Sequence, residues 1–427
     1  MKSVTIVGLG YVGLPLACLC AEKGNKIYGF DVDKNKVDLV NRNESPIEDE
    51  YVANKLKSLK SKIHATTEPE ECIPNSDVVI VCVPTPVDRN NSPDLTAVMN
   101  SVSTISKFIK QGALLVIEST IYPGTIEEVV LPILQKQRFN AHKNDIFVAH
   151  CPERIDPGNK KWTIDLLPRV VGGITKEATQ KAAEFYRGIL SADVLELSSV
   201  KAAEATKIME NTFRDVNIAF VNEMAQSFDK AGIDILEVIK GASTKPFAFM
   251  PHYPGAGVGG HCISQDPYYM IEKGRQLGFN HEFLKLAREI NNNMPHYTIE
   301  LLENELKKLK KNIKGAKVGV LGLTYKGNVD DIRESPAFEV INVLKTKDAE
   351  VFVFDPHVKT GSNVKDLDEL LNKSDYVILV TDHKEFKTMD LEKLKKHKIL
   401  VVIDGRNCLD KEKIKSMKIL YHGIGRS

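Results

Sequence analysis

Residues 4–15 read VTIVGLGYVGLP, from Val4 to Pro15. Four β-branched residues make a short buried strand, and Gly8, Gly10 and Gly13 follow as Gly-x-Gly-x-x-Gly. From Val12 to Gly24 the apolar pattern is that of a helix. Glycines at this strand-to-helix turn let backbone approach a pyrophosphate, which rests on the helix N-terminus. Three spaced glycines alone are a weak signal, because tight turns with no ligand use them too. The context adds Asp31 at the end of a second strand, KIYGFDVD, placed to accept from an adenosine ribose diol. That carboxylate repels the 2′-phosphate of NADP, and Val32 supplies no arginine to receive it, so the cofactor expected is NAD.

Outward from this turn, VTIVGL, KIYGFDV, DVVIVCVP, GALLVIEST, DIFVAH and RVVGG read as buried parallel strands separated by helical stretches. From Ser199 to about Lys230, and from Glu282 to about Lys311, long helical patterns occur without strands. Between them lies a Pro- and Gly-rich loop. At Lys317 the alternation resumes with KVGVLGL, EVFVFDP, SDYVILVTD, ILVVIDG and KILYHGI. The fold expected is α/β, with two Rossmann-like doubly wound domains joined by a central helical domain with a long spine helix. The boundaries read are 1–198, 199–312 and 313–427. The two α/β parts share a pattern but no sequence repeat.

The 427 residues carry 58 basic and 57 acidic side chains, a formal charge of +1. That balance gives no electrostatic case for nucleic acid or an anionic membrane as partner. No apolar run reaches membrane-spanning length, and the opening residues fit the dinucleotide turn better than a secretory signal. The seven cysteines, at 18, 20, 72, 82, 151, 262 and 408, include no Cys-x-x-Cys pair. They indicate neither a disulfide frame nor a metal site, and they suit a reducing, cytoplasmic setting.

Two further features call for chemistry. In AAEATKIMEN (202–211), Lys207 and Asn211 stand at i and i+4 on one helical face, where a cation and an amide can hold a developing alkoxide. An exposed lysine beside a solvated asparagine is the plain alternative. In GAGVGGHCISQDP (255–267), four glycines precede Cys262, and glycines so spaced imply close approach to the backbone. A buried cysteine acting as a small hydrophobe is the ordinary reading for the other six. His261 beside Cys262 is not read as a cysteine–histidine pair, since adjacent side chains rarely face one point.

These stretches, in order, resemble the UDP-sugar 6-dehydrogenases of the UDP-glucose/GDP-mannose dehydrogenase family. The resemblance runs through GLGYVGLP, CVPTP (82–86), EST (118–120), CPER (151–154), KAAEATKIMENTF (201–213), GVGGHCISQDPYY (257–269), YKGNVDDIRESPA (325–337) and DGRN (404–407). It implies NAD-dependent oxidation of a UDP-sugar at C6 to the uronic acid, with Cys262 as nucleophile of the second half-reaction. By the same resemblance Lys207 and Asn211 bind the C6 oxyanion, and Asp266 orients water or assists proton transfer. Glu153 and Thr120 position the hydrolytic water. Gly8, Gly10, Tyr11, Val12, Gly13, Asp31, Pro84, Thr85, Thr120 and Arg333 are implied cofactor contacts. Substrate contacts implied, besides Glu153, Lys207 and Asn211, are Arg154, Tyr253, Gly255, Gly259, Lys326 at the diphosphate and Arg406 at the UDP end. The plain alternative for Arg333 is a surface salt bridge with its acidic neighbours.

STKPFAFMPHYPGAGVGGHCI looks most like the branch acting on UDP-N-acetylhexosamines, with UDP-N-acetylglucosamine favoured, UDP-N-acetylmannosamine second and UDP-glucose the alternative. Pro246 and Phe247 stand where many members carry an arginine that reaches a neighbouring subunit's substrate. A homodimer or higher homo-oligomer is expected. Two other classes compete: a single-step 3-hydroxyacid-type dehydrogenase, which needs no cysteine, and a non-enzymatic NAD sensor, which would tolerate loss of Cys262.

Overall fold

The computed structural model describes residues 1–47, 49–60, 62–88, 91–155, 161–260 and 262–427. They form two parallel-sheet, Rossmann-like domains and a central helical section, divided into two compact units. One contains Met1–Glu210 with Tyr268–Phe279, the other Asn211–Pro267 with Asn280–Ser427.

The first unit holds an eight-stranded sheet built from β1 (Ser3–Val7), β2 (Lys26–Phe30), β3 (Ile63–Thr66), β4 (Val78–Val81), β5 (Leu114–Ile117), β6 (Phe147–His150), β7 (Arg169–Gly173) and β8 (Val194–Glu196). Their spatial order is β3-β2-β1-β4-β5-β6-β7-β8. The reversal between β1 and β4 is the switch point where such folds bind ligands. Strand side chains alternate between two cores: Val78 and Ile80 of β4 face one, Val79 and Val81 the other. Helix α1 (Gly13–Glu22) packs Leu14, Leu16 and Ala17 into the first core.

One expectation is corrected here. RVVGG is a buried strand, but β7 runs antiparallel to β6, pairing Ala149 with Gly173 and His150 with Gly172. A buried run of β-branched residues reads the same in either direction, so composition alone could not give its sense.

In the second unit, β9 (Lys317–Leu321), β10 (Glu350–Phe354), β11 (Tyr376–Leu379), β12 (Val401–Asp404) and β13 (Leu420–Gly423) form a parallel sheet in the order β10-β9-β11-β12-β13. Its first turn repeats that of the first domain. Gly8 and Gly322 have φ of +97° and +96°. The next residue's N–H donates to the acid closing the second strand, Leu9 to Asp31 at 2.8 Å and Leu323 to Asp355 at 2.6 Å. Thr324 replaces the second glycine of the motif, which hides the likeness from a sequence comparison.

Helix α2 (Lys176–Arg187) lies in the first unit. Helix α3 (Val200–Lys230) is the spine, with residues on both sides of the division. Helix α4 (Asp266–Gln276) follows the cysteine loop, and α5 (Glu282–Lys308) packs in the second unit. Among the described residues no helix is long and apolar enough to cross a membrane.

Candidate active site

The three glycines after β1 are there for three different physical reasons. Gly8 is left-handed, and a Cβ on it would sit 2.8 Å from the Cys82 carbonyl oxygen. A Cβ on Gly13 would fall 1.9 Å from the Gly8 carbonyl oxygen, so helix and turn meet backbone to backbone. A Cβ on Gly10 would meet nothing within 4 Å. Among the described residues no contact needs that glycine, and the room beside it suits a phosphate. Asp31 is buried; Oδ2 accepts from Leu9 N–H and Oδ1 from Asp33 N–H at 2.9 Å. Lys36, which the sequence reading passed over, brings Nζ to 3.9 Å from Asp31 Oδ2. The donor set and the open face at Gly10 fit an adenosine diphosphate.

Farther along the same edge, Tyr11 and Pro84 are exposed, Val12 and Thr120 half-buried and Thr85 buried. Tyr269 of α4 donates its hydroxyl to the Thr85 carbonyl at 2.5 Å. Glu204, on the first turns of α3, accepts from Gly124 N–H at 2.6 Å and Ile126 N–H at 2.8 Å. This ties the helix of Lys207 to the segment after Thr120. Burial pushes the Glu204 carboxyl up to about 7 against those two donors. Lys207 itself is half-buried.

Glu153 is nearly out of contact with solvent. Its Oε1 accepts from Arg154 and Ile155 N–H, both at 2.6 Å, and its Oε2 lies 2.5 Å from Arg169 Nη2. Arg154 makes a bidentate pair with Glu210, through Nε at 3.0 Å and Nη2 at 2.6 Å. The pairing of Arg169 with Glu153 and of Arg154 with Glu210 was not legible in the sequence, because the partners lie far apart in the chain.

In the second unit, Asn211 Nδ2 donates to Asp266 Oδ2 at 2.6 Å, joining α3 to the first residue of α4. Asp266 N–H donates to the Cys262 carbonyl at 2.8 Å, so the thiol stands one turn before the carboxylate. Of seven cysteines, Cys262 is exposed, Cys408 half-buried and five buried. Burial pushes the Cys18 and Cys408 thiols up to about 12 and Cys72 to about 11. It also raises Cys20, Cys82 and Cys151. The neighbour His261 lies outside the described residues.

The glycines before Cys262 also answer to close protein contacts. Cβ atoms at Gly257, Gly259 and Gly260 would lie 2.8 Å from Pro336 Cβ, 2.6 Å from the Glu334 carbonyl oxygen and 2.8 Å from the Tyr325 ring. Gly260 N–H also donates to the Arg333 carbonyl at 3.0 Å. The loop is glycine-rich because YKGNVDDIRESPA presses on it. Gly255 differs in part: a Cβ there would stand 3.1 Å from Arg406 Nη1. Gly255 N–H donates to Asn222, which Asn291 holds in turn at 2.9 Å.

Arg406 is half-buried and donates to the Val380 and Tyr325 carbonyls at 2.9 and 2.8 Å. Lys326 is half-buried and Tyr253 exposed. Arg333 is exposed and forms a bidentate pair with Asp331, Nη2 to Oδ2 being 2.6 Å. His357, His383 and Glu385 cluster in this domain. His383, however, accepts Asn328 N–H at Nδ1 and faces Asp355 Oδ2 at 3.0 Å with Nε2, so neither nitrogen is open to a metal.

Comparison with known proteins identifies the family. Residues 2–190 match the NAD binding domain of the UDP-glucose/GDP-mannose dehydrogenase family, 201–293 its central domain and 319–411 its UDP binding domain. The chain belongs to that family, and it is an NAD-dependent UDP-sugar dehydrogenase. It is 37% identical over 421 residues to a UDP-N-acetyl-D-mannosamine dehydrogenase of Methanococcus vannielii, covering 96% of this chain and 94% of that one. It is 36% identical over 400 residues to a UDP-N-acetyl-D-glucosamine 6-dehydrogenase of Pseudomonas aeruginosa, covering 92% and 93%. Its structure is similar to that of a UDP-D-ManNAc dehydrogenase from Pyrococcus horikoshii, with a TM-score of 0.93 and 33% identity, covering 99% of each chain.

Proposed function

We propose that the chain oxidises C6 of a UDP-N-acetylhexosamine to the UDP-uronic acid, reducing two NAD per sugar through a thioester on Cys262. The cysteine inventory carries this reading: Cys262 is the exposed thiol of seven, held one turn from the Asp266–Asn211 bond.

Bound NAD supplies the hydride acceptor. Lys207 and Asn211, one turn apart on α3, hold the C6 oxygen as it gains charge. Asp266 keeps the Asn211 amide aimed and takes part in the proton transfers. An aldehyde cannot release hydride until a nucleophile adds to it. Cys262 Sγ therefore bonds to the aldehyde carbon, and loss of the second hydride leaves a thioester. Water placed by Glu153 and Thr120 breaks the C–S bond and returns the thiol. Tyr11, Val12, Pro84 and Thr85 line the cofactor with Gly8, Gly10, Gly13 and Asp31. Lys326 takes the substrate diphosphate and Arg406 the UDP end. Arg154, Tyr253, Gly255 and Gly259 border the sugar. Arg333 serves a cofactor phosphate by exchanging its bond to Asp331.

Relatives named for the manno and gluco sugars stand about equally near in sequence, at 37% and 36%. The structural likeness to a UDP-D-ManNAc dehydrogenase supports UDP-N-acetylmannosamine, which we assign as substrate in place of the gluco epimer that the sequence pattern favours. Initial rates on UDP-N-acetylmannosamine, UDP-N-acetylglucosamine and UDP-glucose, with NADH counted per sugar consumed, test this. The manno sugar should give the highest kcat/KM and two NADH. One NADH per sugar would return the chain to single-step chemistry, and a preference for UDP-glucose would remove it from the hexosamine branch.

The exposed Phe213 and Phe220, seven residues apart on α3, suit burial against a second copy of the chain. Sedimentation should find a homodimer that Phe220→Asp dissociates; a monomeric wild type would refute it. Seven scattered cysteines with no Cys-x-x-Cys pair suit a reducing compartment, and we place the enzyme in the cytoplasm.

A further inference from the structure

Beneath the Glu153 turn, side chains from four elements meet out of water. Glu118 follows β5, Glu153 follows β6, Arg169 opens β7 and Tyr186 lies on α2. Glu118, Arg169 and Tyr186 are fully buried, and Glu153 is 3% exposed. Two ionised carboxylates against one guanidinium would leave an uncompensated charge in a dry interior, which is strongly disfavoured. One proton shared by the pair removes it.

The geometry decides which carboxyl holds the proton. Arg169 Nη2 is 2.5 Å from Glu153 Oε2, whereas Nη1 is 3.8 Å from Glu118 Oε2. Glu153 Oε1 accepts two backbone N–H groups. Glu118 has the Tyr186 hydroxyl on Oε1, while its buried Oε2 has no hydrogen-bond partner among the described residues. The donors that hold negative charge are thus aimed at Glu153. Cys20, Cys82 and Cys151, the other titratable groups facing the cluster, are neutral thiols pushed up by burial. Burial likewise raises the Glu118 carboxyl to about 7, with Arg169 opposing.

We propose that Glu118 stands as a carboxylic acid at working pH, donates its O–H to Glu153, and with Arg169 holds Glu153 and its turn fixed. Glu118 is then a positioning residue for thioester hydrolysis. The link to hydrolysis rests on the role proposed for Glu153 above; the protonation does not.

The test uses full-length wild type, Glu118→Gln and Glu118→Leu. An infrared pH titration should show a buried protonated carboxyl in wild type and lose it in Glu118→Gln. The fold then holds a proton that the unfolded chain releases above its ordinary value of about 4.3. Wild-type folding should therefore weaken relative to Glu118→Gln, by about tenfold in the folding constant per pH unit, from roughly pH 4.5 to pH 7. Glu118→Leu should lower kcat about tenfold or more with little change in KM, and Glu118→Gln, whose amide can donate, should restore most of it. No protonated carboxyl in wild type overturns the proposal, a readout that needs no variant to fold. So does a pH dependence of stability that Glu118→Gln leaves intact. If both physical signatures appear but Glu153→Gln turns over normally, the protonation stands and the assignment of Glu153 falls.

Discussion

Replacing Gly10 by alanine separates cofactor binding from folding, because its neighbours in the same turn cannot be replaced so freely. A Cβ at Gly10 has no protein atom within 4 Å, and the residue is outside the left-handed region. The apo fold should therefore keep its stability or gain about 0.4–1 kcal/mol from a stiffer unfolded chain. A Cβ at Gly13 would lie 1.9 Å from a backbone oxygen and 3.0 Å from Ile6 Cγ2, so helix and turn must part. A cost of about 2–3 kcal/mol is expected, or roughly 4–12 °C in Tm for a unit of this size. NAD affinity behaves the other way at Gly10. The methyl takes the space proposed for the diphosphate, and losing even about 1.4 kcal/mol weakens binding tenfold. Calorimetric melting with and without NAD reads both quantities, since a ligand that binds only the folded state stabilises it by RT ln(1 + L/Kd), L being the free ligand concentration. Gly10→Ala should melt like wild type alone and show a much smaller NAD shift. A full NAD shift in Gly10→Ala, or an apo loss matching that of Gly13→Ala, would refute this division of labour.

Lys207→Ala should lower kcat by about 10² or more while NAD binding changes little, the scale of one lost oxyanion donor; near-normal turnover in steady-state rates would return Lys207 to a structural part. His422 lies between Glu305, 2.8 Å from Nδ1, and Asp229, 2.9 Å from Nε2, which join the last strand to α5 and α3. Burial opposes its charged form, but the two carboxylates prevail and hold the imidazole above its ordinary value. That contribution is fully present below the unfolded value of about 6.5 and is lost as pH rises through the folded one. The Tm advantage of wild type over His422→Gln should therefore be largest on the acid side and shrink with alkalinity; a constant difference would contradict it.

The sheets were legible because period and composition carry them. All five strands of the second domain lie inside runs read from the sequence, and α3 and α5 begin within a residue of their expected starts. β3 and β8 were missed, being only four and three residues long, with exposed His64 interrupting one and Leu195 and Glu196 the other. The direction of β7 was also missed, since register and sense depend on partners distant in the chain. The same limit governs the site. Gly10, Asp31 and Cys262 stand out by local context. Glu118, Arg169 and Glu204 act through neighbours 16 to 80 positions away, where no spacing rule reaches. The glycines before Cys262 were visible, but what they approach, Tyr325 and Pro336, was not.

Intact-protein mass spectrometry on Cys262→Ser, mixed with UDP-N-acetylhexosamine and NAD, tests the central chemistry most directly. A serine oxygen can add to the aldehyde, but its ester lacks the good thiolate leaving group and hydrolyses slowly. The account predicts sugar covalently retained at residue 262 as the acyl ester. Cys262→Ala should bind both ligands yet form no adduct and no steady flow of uronic acid. Uronic acid made by Cys262→Ala at the wild-type rate would contradict the thioester outright.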